Sequence, residues 1–278
     1  MIREIARQIE GYICFLEKEE RSLSTRRQYQ RDIQCFLVYV QGRAVTKELV
    51  IQYKERLMSE YQPSSVNTKL AAINGYFSYL GKRELCVKQL KIQKKVYCPR
   101  EKELTKADYR NLVCEADRKK NKRLSFLIQT ICATGIRVSE LSCVTAEAVK
   151  SGEACTHLKG KSRVVLLNGK LRKALRDYLR HEKIVSGPVF RTRTGRPLDR
   201  SNIWKMMKRL CAGAKVEPQK VFPHNLRHLF ARCFYALDKD IAKLADILGH
   251  SSINTTRIYI MSSGQEHRRR MDALKLVL

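Results

Sequence analysis

The sequence of 278 residues lacks any uninterrupted apolar run of about eighteen residues, the length that a membrane-spanning helix needs. Its first stretch also lacks the uncharged apolar segment of a secretory signal, because acidic side chains interrupt it repeatedly. These are Glu4, Glu10, Glu17, Glu19 and Glu20. We therefore expect neither a secretory signal nor association with a membrane.

The 10 cysteines include no CxxC pair, and the 6 histidines show no zinc-type spacing with them. The cysteines are scattered singly, and several lie inside apolar helical patterns, where a free thiol behaves as a small hydrophobic group. We therefore expect reduced thiols, no structural metal and a cytoplasmic location.

Acidic residues are scarce, because the sequence has 27 aspartates and glutamates but 56 lysines and arginines. The formal net charge is therefore +29. A chain with 44% apolar residues can still bury a core, which excludes a disordered basic tail. The basic residues are spread along the whole chain, a distribution that favours a long phosphate backbone over a small anion. Nucleic acid is therefore the expected partner.

The first third of the chain carries four apolar stripes at helical spacing, which predict a small helical bundle over residues 1–95. We expect helix starts at Ser24, at Thr46 and at Pro63, and the last helix to end at Gly81. Residues 96–103 are basic, lack a clear period and include Pro99, so they predict a linker.

A second domain, residues 104–278, starts where Thr105 and Asp108 resemble a capping box. It is predicted to be mostly helical with one β-hairpin, Ala154–Leu158 and Arg163–Leu167, whose tip is Lys159 to Ser162. The predicted helices are Thr105–Asp117, Lys122–Thr134, Leu171–Glu182, Ser201–Gly213, His224–Leu237, Lys239–Leu248 and one near Gln265–Val277.

Three motifs of the second domain carry residues suited to an anionic site. ATGIRVSEL places Arg137 at a break between helical patterns, and HNLRH places His224 and Arg227 on one face of a helix start. LGHSSINTTRIYI carries His250 and, nine residues later, Tyr259. Each motif alone also fits an ordinary surface arginine, a polar helix start or a packed tyrosine.

Together with the lysine-bearing hairpin tip LKGKSR, these motifs resemble the tyrosine recombinases, the phage integrase and Xer-like family. Their order and spacing match the family, and SLSTRRQYQRDIQCFLVYV and SSVNTKLAAINGYFSYL are similar to its core-binding domain. The resemblance implies a mainly α fold, a two-domain DNA clamp with an N-terminal SAM-like helical domain and a mostly helical catalytic domain. It also implies strand cleavage and rejoining without metal, ATP or another cofactor, and a nucleoid-associated location in a prokaryotic cell.

The resemblance further implies a role for each motif residue. Arg137 and Arg227 would bind the non-bridging oxygens of the scissile phosphate, with Glu140 supporting Arg137. Tyr259 would attack phosphorus and His224 would exchange its proton. His250 would bind or orient the phosphate. Lys159 would protonate the leaving oxygen, although Lys161 stays open because the tip is shorter than the common GKGxK form.

Family membership would also imply a homotetramer on two paired DNA sites, with an accessory DNA-bending or directionality factor in some systems. The C-terminal tail carries four apolar anchors, Met271, Leu274, Val277 and Leu278. We therefore expect the tail to pack on a neighbouring protomer; the alternative is that it packs on its own protomer. The alternatives are a type IB topoisomerase with the same phosphotyrosine chemistry and a catalytically silent architectural DNA-binding protein.

Overall fold

The computed structural model describes residues 2–92, 103–158, 161–260 and 272–273. The chain divides into two compact units, residues 1–94 and 95–278. Most of the predicted linker, the tip residue Lys159, the predicted tail helix and the four tail anchors lie outside the described residues.

The N-terminal unit consists of four helices, as the apolar stripes predict. They are α1 Ile2–Lys18, α2 Leu23–Val40, α3 Lys47–Glu60 and α4 Pro63–Tyr79, followed by a 3₁₀ turn at Arg83–Leu85. Their apolar faces form one core around Ile33, Phe36, Val66 and Leu70, and burial of this core stabilises the bundle.

The helix starts of this unit follow local capping chemistry. Thr46 accepts a hydrogen bond from the Leu49 amide and caps α3, as predicted. The predicted cap at Ser24 is wrong, because Ser22 accepts from the Thr25 amide and α2 already begins at Leu23. Both serines are good caps, and the sequence alone did not distinguish them.

The second unit begins with two helices that pack on each other, α5 Lys106–Arg118 and α6 Lys122–Thr134. The capping box of Thr105 and Asp108 is present at the start of α5. α6 ends at Gly135, which adopts a φ of +64°. A Cβ at Gly135 would lie 2.5 Å from a ring carbon of Phe230, so this helix end requires glycine.

After α6 the chain forms a 3₁₀ segment, Val138–Cys143, a short helix, α7 Ala146–Ser151, and the two-stranded antiparallel sheet of β1 Glu153–Leu158 and β2 Lys161–Leu166. The predicted four-residue hairpin tip is wrong. Lys161 pairs with Leu158 and Ser162 with His157, so both belong to β2 and only residues 159–160 connect the strands.

The rest of the unit is helical. Its helices are α8 Gly169–His181, α9 Arg200–Lys208, α10 Cys211–Ala214, α11 Pro223–Asp238, α12 Ile241–Leu248 and α13 Ile253–Ile260. α12 ends at Gly249, as predicted, and a 3₁₀ turn lies at Pro218–Lys220.

The single helix predicted over Ser201–Gly213 is wrong, because the chain turns after Lys208 and restarts at Cys211. The restart brings Gly213 against Glu115, where a Cβ would lie 1.9 Å from a carboxylate oxygen. α7 and α13 were not predicted, since short helices give too few turns for a clear period.

The mainly helical fold with one small hairpin is confirmed. No helix in the described part of the chain has both the length and the hydrophobicity that crossing a membrane requires.

Candidate active site

Arg137 is placed by the tight turn that follows α6. Its backbone amide and its Nη1 both donate to Glu140, at 3.0 and 2.9 Å, and its Nη2 donates to the Gly249 carbonyl at 2.9 Å. The side chain keeps 37% of its exposure. Arg137 is therefore oriented by the buried Glu140 carboxylate and by the Gly249 carbonyl, and it still reaches solvent.

Arg163, which the motif comparison did not single out, lies on the other side of Glu140. Its Nη2 is 2.5 Å from the Glu140 carboxylate, and its Nη1 donates to the Ile247 carbonyl. Burial opposes ionisation of Glu140, but the hydrogen bonds from Arg163 and Arg137 lower its pKa. The sequence signal for Arg163 is weak, because an arginine in a basic hairpin resembles a solvated surface residue.

Arg227 is the largest fully buried side chain of the described residues and is only 1% exposed. It lies in the first half of α11, donates from Nη1 to the Gly135 carbonyl, and donates from Nη2 to the Leu248 carbonyl at 2.7 Å. Burial and the charge of Arg137 lower its pKa to about 10, so it stays protonated at neutral pH.

His250 follows α12 and contacts Arg227. The Nη2 of Arg227 lies 2.9 Å from His250 Nε2, and His250 Nδ1 lies 2.8 Å from the hydroxyl of Thr256. A guanidinium can only donate, so Nε2 accepts and Nδ1 carries the proton. Burial and the neighbouring guanidiniums, Arg227 first, lower the pKa of His250 to about 4 and keep it neutral.

Tyr259 lies on α13 and is 6% exposed. Its hydroxyl is 3.3 Å from Nε2 of His224, which is the second residue of α11. Partial desolvation and the charges of Arg227, Arg200 and Arg137 lower the pKa of His224. A neutral imidazole beside a phenol can accept the phenol's proton.

The Tyr259 ring is enclosed by other site residues. His228 stacks on it with ring centroids 4.1 Å apart and an interplanar angle of 21°. The His250 ring centroid is 5.1 Å away, and the guanidinium carbon of Arg227 is 5.9 Å from the tyrosine centroid. Burial, followed by the effect of His224, lowers the pKa of His228 to about 4, so the stacked ring is neutral.

The structure therefore gathers five of the six predicted site residues: Arg137, His224, Arg227, His250 and Tyr259. The sixth, Lys159, lies outside the described residues. Beside this cluster, a cleft of about 750 Å³ is lined by Arg137, Arg163, His250 and neighbouring polar residues. A cationic cleft next to a phenol is suited to phosphate chemistry.

Metal-binding chemistry has no visible basis in this region. Within residues 2–92, 103–158, 161–260 and 272–273, no group of three or more histidine, cysteine or acidic side chains could hold a metal ion. The acidic residue of the site, Glu140, is held by two arginines.

Family comparison agrees with this geometry. The model described as the phage integrase family matches residues 102–266, and the model described as the phage integrase N-terminal SAM-like domain matches residues 9–84. The first match alone covers more than half of the chain. The chain belongs to the phage integrase family. The resemblance inferred from the motifs is therefore confirmed.

Curated relatives of this family member are tyrosine recombinases. The chain is 26% identical to tyrosine recombinase XerA of Pyrococcus furiosus, over 97% of this chain and 94% of the relative. It is 27% identical to tyrosine recombinase XerD of Halalkalibacterium halodurans, over 87% of this chain and 89% of the relative.

Solved structures of the family share the fold. A λ integrase dimer bound to a core site aligns with a TM-score of 0.74 at 15% identity, over 92% of this chain and 94% of that chain. A post-cleavage complex of the XerH recombinase with its difH substrate aligns with a TM-score of 0.72 at 20% identity, over 92% and 80%.

The lowered pKa of His250 predicts a pH-dependent stability of this phage integrase domain. The folded imidazole resists protonation down to about pH 4, whereas an ordinary histidine has a pKa of 6.5. The contribution of neutral His250 is therefore complete above about pH 6.5 and is lost as the pH falls toward 4. Between about pH 7 and pH 5, we expect the free energy of unfolding of wild type to fall by on the order of 1 kcal/mol more than that of His250→Gln.

The measurement is urea unfolding followed by the fluorescence of Trp204, the single tryptophan of the chain, which lies in this unit. The control is His181→Gln, since His181 is exposed on α8 and should leave the pH dependence unchanged. Equal losses for wild type and His250→Gln would contradict the prediction.

Proposed function

We propose that the chain cleaves and rejoins DNA at specific sites through a 3′-phosphotyrosyl intermediate. The observation that carries this proposal is the 3.3 Å contact between the Tyr259 hydroxyl and His224, beside the buried Arg227 guanidinium. One chain thus supplies a phenol nucleophile, a proton acceptor and cationic ligands for the phosphate. DNA is the expected substrate because the chain carries a net charge of +29 and relatives of the same fold are bound to DNA.

In this proposal Arg137 and Arg227 bind the non-bridging oxygens of the scissile phosphate. Charge builds up on these oxygens as the nucleophile approaches, and guanidiniums offer planar, fixed donors for it. Loss of one such preorganised donor typically costs about 10²–10³ in rate. His250 accepts a hydrogen bond from Arg227 and, as a neutral imidazole, orients that guanidinium and through it the phosphate.

The reaction balances without an external cofactor. The phenol proton of Tyr259 passes to His224, the tyrosine oxygen bonds to phosphorus, and the bond from phosphorus to the 5′-oxygen breaks. The general acid gives a proton to that 5′-oxygen. Attack by another 5′-hydroxyl reverses these steps and seals the new strand, so the energy of the phosphodiester is retained in the phosphotyrosine.

The nucleophile assignment predicts that Tyr259→Phe binds DNA but forms no covalent adduct, because only the attacking oxygen is removed. The measurement is a denaturing gel of a labelled, nicked suicide duplex drawn from the DNA that flanks the gene. Tyr235→Phe, on α11 beside the same small core, is the matched control and should form adduct at the wild-type level. An adduct of normal yield with Tyr259→Phe would disprove the assignment.

The general acid is proposed to be one of the two lysines at the hairpin turn, Lys159 or Lys161. The family motif favours Lys159, the first lysine of LKGKSR, and Lys161 is the alternative because the tip is shorter than the common GKGxK form.

This assignment predicts that Lys159→Ala slows cleavage of an ordinary duplex by about 10²–10⁴-fold. The same variant should cleave a duplex with sulfur in place of the leaving 5′-oxygen at nearly the wild-type rate, because a thiolate leaves without an acid. Lys161→Ala is the matched control and should behave as wild type on both duplexes. The reverse result would assign the role to Lys161.

We propose that four copies act on two paired DNA sites. Each chain carries one nucleophile, and exchange between two duplexes requires cleavage of four strands. An accessory DNA-bending or directionality factor would act on this assembly and not on the chemistry of one site. Mass photometry of covalently trapped complexes should show four chains with two duplexes; saturation at one chain per duplex would contradict the tetramer.

A further inference from the structure

Arg163 is anchored at both ends of its guanidinium, although it lies on a hairpin strand. Its Nη2 is 2.5 Å from Glu140, its Nη1 donates to the Ile247 carbonyl, and its side chain is 12% exposed. These contacts join β2 to the segment that carries Arg137 and to the end of α12. A solvated arginine on a hairpin has no such fixed partners, so these contacts set Arg163 apart from an ordinary surface arginine.

Glu140 is the link between Arg163 and Arg137. Its side chain is 3% exposed, one oxygen accepts from Arg137 Nη1, and the other accepts from the Arg137 amide and from Arg163. A buried carboxylate keeps a fixed position only when its hydrogen bonds are satisfied. Without Arg163, the second oxygen would lose its only guanidinium partner among the described residues.

The backbone at Gly249 is shaped around the same arginine. A Cβ at Gly249 would lie 2.3 Å from Cδ of Arg163, so the close approach depends on the missing side chain. The carbonyl of Gly249 accepts from Arg137 Nη2 at 2.9 Å. One residue therefore admits Arg163 on one side and holds Arg137 on the other.

We propose that Arg163 is a positioning residue for phosphodiester cleavage, acting through Glu140 to fix the guanidinium of Arg137 at the phosphate. This inference rests on the proposed function. Arg163 donates its own hydrogen bonds to protein acceptors, so its effect passes through Arg137. A small displacement of a phosphate ligand can cost on the order of 10²-fold in rate.

The test compares Arg163→Met with Arg163→Lys at saturating nicked duplex, with the rate of covalent adduct formation as the readout. Methionine keeps an unbranched chain beside Gly249 but has no donor, and we expect a loss on the order of 10²-fold. Lysine can pair with Glu140 but cannot also reach the Ile247 carbonyl, so it should recover part of the loss. DNA affinity should stay near wild type, since other phosphate contacts provide it.

The matched control is Arg172→Met. Arg172 also donates its guanidinium to two carbonyls, those of Val149 and Lys150, but away from the site. It should lose anchoring bonds without losing adduct formation. If neither wild type nor Arg172→Met forms adduct, the proposed function itself is wrong, and the missing adduct says nothing against the role of Arg163 alone.

A double-mutant cycle separates positioning from general damage. In an Arg137→Lys background, Arg163→Met should slow adduct formation far less than it does in wild type, because its target is already gone. Losses that multiply would overturn the inference, and so would a defect confined to DNA affinity or an adduct rate unchanged by Arg163→Met.

Discussion

The site depends on the end of one short helix. Three successive carbonyls at the C-terminal end of α12, those of residues 247–249, accept hydrogen bonds from Arg163, Arg227 and Arg137, in that order. The last carbonyls of a helix have no partner within the helix and carry its negative partial charge. Here three guanidiniums satisfy them, and the helix end in turn offsets the repulsion among three cations.

This arrangement explains how the phosphate ligands can be assembled before DNA arrives. A buried guanidinium without partners would cost several kcal/mol, which exceeds what a marginally stable domain tolerates at several positions. Hydrogen bonds to backbone carbonyls offset part of that cost and leave the positive charge in place. Further carboxylates would cancel the charge. Glu140 is buried between Arg137 and Arg163, so the cleft keeps a positive balance for a phosphate.

The same cations set the protonation of the histidines. Arg227 and Arg137 both contribute to the lowered pKa values of His224 and His250, after desolvation. The proposed mechanism requires neutral imidazoles, because in it His224 accepts a proton and His250 accepts a hydrogen bond from Arg227. The ligands for the phosphate and the acid–base groups are therefore one electrostatic system.

Much of this could be predicted from the sequence, for reasons that are local. The positions of Arg137 and Arg227 follow from motifs at helix boundaries, and helical spacing places His224 one turn from Arg227. α6 carries several periods of apolar residues, and both of its bounds, Lys122 and Thr134, agree with the prediction. The predicted domain boundaries and catalytic roles stay predictions.

The parts that escaped prediction are those in which tertiary contacts decide. Nothing near Arg163 in the sequence shows that its partners are Glu140, 23 residues earlier, and Ile247, 84 residues later. The sequence does not show where β1 ends and β2 begins, because residues 159–162 are all polar or glycine. α13, which carries Tyr259, has only eight residues and gives little periodicity.

Two glycines finally show why backbone geometry matters as much as the reactive side chains. Gly135 ends α6 with a φ of +64° and gives its carbonyl to Arg227, while Gly249 ends α12 with a φ of +62° and gives its carbonyl to Arg137. In each case the left-handed residue that terminates a helix also supplies the acceptor for an arginine. A side chain at either position would strain the turn and collide with a neighbour, Phe230 or Arg163. The helix ends therefore fix the two arginines that the proposed mechanism assigns to the phosphate.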